Sequence, residues 1–70
     1  MDEKVFKQVS ERIREMRFKR GYSQEYMATA LGISQNIYSR NERNIKKMPL
    51  ERLFKIAAIL DTTIAILLCI

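Results

Sequence analysis

The chain contains no histidine and a single cysteine, Cys69, so neither a multi-ligand zinc site nor an intramolecular disulfide can be assembled from it, and no metal or other cofactor is expected. Catalysis is poorly served as well. Without imidazole, a metal constellation or a paired-carboxylate signature, few groups are left to act as acid, base or nucleophile, and no enzyme is expected. Long apolar runs are missing: the wholly apolar stretch from Ile64 to Ile70 falls well short of the about 20 residues a membrane-spanning helix needs. Asp2, Glu3 and Lys4 stand where a signal peptide would place basic and then apolar residues. The expected compartment is a reducing cytoplasm, in which Cys69 serves as a small hydrophobe rather than a reactive thiol. Glycine and proline are scarce, at two and one, and strict apolar–polar alternation is absent, which points to an all-α fold.

Seventy residues make one small domain, of a size that buries only roughly 60% of the surface its unfolded chain exposes. Thirteen Lys and Arg against eight Asp and Glu give a net charge of +5, which favours polyanionic partners and says nothing by itself about fold. The positive charge is clustered. Arg12, Arg14, Arg17, Lys19 and Arg20 crowd the first third, and Arg40, Arg43, Lys46 and Lys47 form a second group.

Phe6, Val9, Ile13 and Met16 recur at three- and four-residue spacing, which predicts a helix from about Lys4 to Lys19 with Lys7, Arg14 and Glu15 outside. Gly21 ends it by accepting positive φ. Ser23 caps a second helix, Gln24 to Leu31, in which Ala28 permits close approach and Glu25 favours the positive end of the helix dipole. Gly32 stops this helix, Ile33 plugs the turn, and Ser34 caps a third helix from Gln35 to about Arg43. Asn44 is expected to take the left-handed position that ends it, with a loop over residues 45–48. Pro49 suits the first turn of a fourth helix, whose core face is expected from Leu50, Leu53, Phe54, Ile56, Ala57 and Leu60. Asp61 and Thr62 interrupt the pattern, and Thr63 caps a last turn or two through Ile64, Leu67 and Leu68.

Two short helices joined by a glycine turn over residues 23–42 resemble a helix-turn-helix. Arg-Ile-Arg-Glu-Met-Arg at 12–17, Ser-Gln-Glu at 23–25, Met-Ala at 27–28, Leu-Gly-Ile-Ser at 31–34 and Ser-Arg-Asn-Glu-Arg at 39–43 extend the likeness. With the helix from Leu50 to Leu60, the chain resembles the Cro and phage-repressor type, the XRE-like family, over about residues 9–68. The resemblance implies a compact five-helix bundle that binds double-stranded DNA as a small transcriptional regulator, a repressor that occupies an operator. It implies that Gln24 donates to a backbone phosphate. Gln35, Asn36 and Arg40 would enter the major groove, where an amide can pair with adenine and a guanidinium with guanine. Arg43, Lys46 and Lys47, with Ser39, would lie along phosphates. Arg17 and Glu42 match a family ion pair that orients the reading helix, and Tyr38 falls at an apolar core position.

Asn41 stands where the family has an apolar or aromatic residue, Asn44 where it commonly has glycine, and Ala65 and Ile66 where acidic residues are frequent. The tail is therefore apolar on most sides, more than one small core should absorb. A homodimer through Ile64, Ile66, Leu67 and Ile70 is expected, matched to a palindromic operator. A protein-interaction module of antitoxin type, with weak DNA binding and a protein partner held by the tail and an interhelical groove, is the alternative.

Overall fold

A computed structural model describes residues 3–68, and Cys69 and the expected interface residue Ile70 lie outside the described residues. Its helices are α1 (Glu3–Lys19), α2 (Gln24–Leu31), α3 (Gln35–Arg43), α4 (Leu50–Ile59) and α5 (Ile64–Leu68), with a 3₁₀ turn at Ile45–Lys47 before α4. Val9 and Ile13 bury the inner stripe of α1, with Phe6 and Met16 packed beside them. They meet Met27 and Ala28 of α2, Tyr38 of α3, Ile56 and Ala57 of α4, and Leu67 of α5 in one core cluster.

The helix limits follow from caps. The hydroxyls of Ser23 and Ser34 accept from the backbone N–H groups of Tyr26 and Ile37 at 2.9 and 3.1 Å, and Thr63 accepts likewise from Ile66 at 3.1 Å. Each satisfies a donor that a helix start leaves orphaned. At the α2–α3 turn Gly32 adopts φ +71°, which lets the N–H of Ile33 reach back to the carbonyl of Ala28 at 3.0 Å. A side chain there would be strained by the backbone alone.

The structure departs from the sequence expectation at four places. Asn44 is extended, with φ −144°, rather than left-handed. Its side-chain oxygen accepts from the Lys46 N–H at 3.2 Å and so starts the 3₁₀ turn, an alternative that glycine could not offer. Pro49 caps α4 from just outside it. Among the described residues the one non-glycine with positive φ is Asp61 after α4, φ 56°, where the N–H of Thr62 returns to the carbonyl of Ala57 at 2.9 Å. Leu50 and Phe54 are not core residues, with 67% and 55% of their surfaces exposed. The buried face of α4 is centred on Leu53, Ile56, Ala57 and Leu60; Phe54 turns about a quarter-revolution away from it, and Leu50 precedes its first buried turn.

The fourth departure concerns the expected dimer contacts. Leu67 is fully buried, and Arg12 Nη1 donates to its carbonyl at 3.3 Å, so this residue belongs to the core and cannot also meet a second copy. Ile64 is half-buried against the same cluster. Only Ile66 stands clear among the expected interface residues described, 54% exposed.

This distribution predicts a graded response to truncation. Ile56→Ala should cost about 2–5 kcal/mol through the cavity it leaves, whereas Leu50→Ala and Phe54→Ala should each cost less than about 1 kcal/mol. Urea denaturation of the three variants checks the ranking.

Candidate nucleic-acid interface

A charged cluster inside the bundle sets the angle of α3. Arg17 of α1 donates from Nε to Glu42 Oε2 at 2.8 Å and from Nη2 to Oε1 at 3.0 Å, a two-point grip that fixes direction as well as distance. Its remaining Nη1 donates to the Tyr22 carbonyl at 2.9 Å, and its guanidinium lies 4.7 Å from the centre of the Phe18 ring. The side chains of Arg17 and Glu42 are only 6% and 4% exposed. Tyr38 Oη, one turn earlier on α3, donates to Glu42 Oε2 at 2.6 Å. Gln24 Nε2 completes the set at 3.4 Å from Oε1. A single carboxylate thus receives donors from α1, α2 and α3.

Burial alone would push the Glu42 carboxyl up, but hydrogen bonds from Arg17 and Tyr38, the charge of Arg17 and the Gln24 amide outweigh it and hold the group below its ordinary value. Burial, with the hydrogen bond to Glu42 and its negative charge, pushes the Tyr38 hydroxyl far up. The Arg17 guanidinium is raised by its bond to Glu42, against the opposing effect of burial. All three stay in the states the network needs.

Outside this support lies the surface that the sequence pattern singled out. Gln35, Asn36 and Arg40 are exposed on α3, the first two in its opening turn. Gln24 is half-buried at the start of α2 and leans toward Glu42; its amide nitrogen keeps a second N–H for another acceptor. Gln24, half-buried Ser39, Glu42 and exposed Arg43 line one wall of a groove of about 350 Å³ between α3 and α1. A second groove, about 520 Å³, adjoins it and is walled by Arg40, Arg43, Asn44 and Lys47. Lys46 differs from its neighbours. Its ammonium pairs with Glu3 and sits 5.6 Å from the centre of the Phe6 ring, which ties the 3₁₀ turn to the start of α1.

Sequence reasoning passed over three groups. The Tyr38 hydroxyl was hidden by an otherwise apolar position, although its four-residue spacing from Glu42 was a usable signal. Asn41 is buried because its side-chain oxygen accepts from Arg52 Nη1 of α4 at 2.8 Å, a pairing across distant sequence that no local pattern announces. The sequence pattern puts Lys7 and Arg14, on the α1 walls of the grooves, on an outer, basic face but assigns them to no site, although with Ser10 and Glu11 they repeat at helical spacing.

The family model described as helix-turn-helix matches residues 13–67. No curated protein and no solved structure matches the chain significantly. Among the described residues no helix is long and apolar enough to cross a membrane.

The cluster predicts two pH limits. The lowered Glu42 carboxyl contributes stability that is complete above its unfolded value of about 4.3 and is lost as pH falls through the folded value. The raised Tyr38 hydroxyl contributes stability that is complete below its unfolded value of about 10 and is lost as pH rises beyond it. Tyr38→Phe should cost about 1.5–3 kcal/mol at neutral pH, as loss of a hydrogen bond to a charged group does, and should blunt the alkaline loss while keeping the acid one. Chemical denaturation across pH checks both limits.

Proposed function

Because the chain belongs to the Cro/C1-type helix-turn-helix family of DNA-binding regulators, we propose that it is a sequence-specific repressor that occupies an operator in duplex DNA. The observation that carries this reading is the exposure of Gln35, Asn36 and Arg40 on a helix braced from behind by the Arg17–Glu42 pair. α3 enters the major groove, the Asn36 and Gln35 amides pair with base edges, and Arg40 offers a fork to guanine. Gln24, Ser39, Arg43 and Lys47 follow the phosphates, which gives affinity and register without sequence information. Lys46 joins them by exchanging Glu3 for a phosphate.

The whole chain acts as one DNA-binding domain, and two copies pair through the exposed edge of α5, with Ile66 at the contact and half-buried Ile64 beside it. Their reading helices then fall about 34 Å apart, one turn of duplex, so the operator is palindromic. The exposed Leu50 and Phe54 favour a second reading, in which α4 also receives a protein partner.

Arg40→Ala and Asn36→Ala should each weaken binding to a site selected from random duplexes by about 1–3 kcal/mol and leave non-specific binding nearly intact, whereas Lys47→Ala should weaken all sequences alike. Competition between selected and mutated sites makes the comparison; unchanged discrimination in the first two variants would remove them from the base-reading set. For the pairing of copies, Ile66→Lys should give a folded monomer with poorer operator binding. Sedimentation equilibrium decides the matter, since a wild-type protein that stays monomeric at high concentration and on a palindromic duplex has no such dimer.

A further inference from the structure

The basic side chains of this protein divide by how they are engaged. Arg17, Arg20, Lys46 and Lys55 are held in ion pairs, and Arg12 and Arg52 donate to oxygens elsewhere in the fold. Among the described residues, Lys4 and Lys19 have neither kind of partner, and neither do Lys7, Arg14, Arg40, Arg43 and Lys47. These last five all line the two adjoining grooves. Three belong to α3 or the turn after it. Lys7 and Arg14 come from the opposite wall, α1.

Lys7, Ser10, Glu11 and Arg14 share one face of α1, since they are spaced by three, four and seven residues. That face spans roughly 10 Å of helix rise, comparable to three nucleotides of one strand at roughly 3.4 Å each. It closes a trough whose other wall holds Gln24, Ser39 and Arg43. We infer that α1 supplies a phosphate-holding edge, Lys7–Ser10–Arg14, which clamps the DNA backbone between itself and α3; this rests on the DNA-binding reading above. Lys7 and Arg14 supply charge, the Ser10 hydroxyl donates between them, and Glu11 opposes the phosphate and limits the grip.

The test is the salt dependence of duplex binding by fluorescence anisotropy, on the selected site and on a scrambled one. Replacing Lys7 and Arg14 together with Ala should lower the slope of log K against log salt by about 1.8, since each phosphate that a cation neutralises contributes about 0.9. Affinity should fall on both duplexes with their ratio unchanged. Replacing Lys19 and Lys55 together with Ala removes the same charge outside the grooves and should leave the slope near wild type. Glu11→Gln should tighten binding to both duplexes several-fold, a gain that cannot arise from misfolding.

Equal slopes in the two double variants, or a loss confined to the selected site, would overturn the α1 edge while leaving DNA binding intact. A wild-type protein that binds neither duplex, or that prefers an acidic polypeptide to both, would remove the DNA reading and this edge together.

Discussion

The Glu42 carboxylate is the point on which the geometry of this protein depends. It is buried, charged and shared by Arg17 from α1, Tyr38 from α3 and Gln24 from α2. Apolar packing alone is tolerant of small rotations, since it is non-directional. A two-point guanidinium–carboxylate contact is not. Desolvating these charges is costly, and an apolar replacement of similar volume can be as stable. What the network adds is a fixed angle for α3 relative to α1 and α2, and with it a fixed set of directions for the side chains on the opposite face. Losing one partner alone would leave the other's buried charge without its counter-ion, a strongly destabilising outcome even with the remaining hydrogen bonds in place.

Local chemistry made much of this architecture legible. Ser23, Gly32 and Ser34 mark the limits of α2 and α3 because caps and positive-φ positions depend on neighbours a few residues away. The Arg17–Glu42 contact was legible only through family resemblance, since residues this far apart share no local pattern. Errors gathered where two local solutions compete. Asn44 could end a helix with left-handed backbone or open a turn with its side chain, and it does the second. Leu50 and Phe54 satisfy helical periodicity but fall off the face that the packing of α4 on α2 and α5 selects. The burial of Asn41 was illegible for a further reason: its partner, Arg52, lies on another helix.

The surface sorts into regions of different chemistry. Cations on α1, α3 and the turn after it face one another across connected grooves, while others are neutralised by acids or engaged by backbone carbonyls. This arrangement gathers Lys7, Arg14, Arg40, Arg43 and Lys47 along the path proposed for a duplex backbone, which a net charge of +5 does not by itself ensure. The α3 side chains proposed to read base edges sit beside those cations, so in that reading non-specific attraction and sequence recognition share one face. Three of the exposed apolar residues, Leu50 and Phe54 on α4 and Ile66 on α5, belong to helices outside the grooves, while Phe18, Tyr26 and Ile37 stand exposed on α1, α2 and α3 without lining them.

The most direct test of this arrangement is a titration of isotope-labelled protein with a selected duplex, followed by amide and side-chain NMR shifts. The largest changes should fall on Gln35, Asn36, Arg40 and Arg43, with Gln24 at the start of α2, while the amides of Val9 and Ile56 in the core keep their positions. Changes centred on Leu50, Phe54 and Ile66, with α3 undisturbed, would contradict the account.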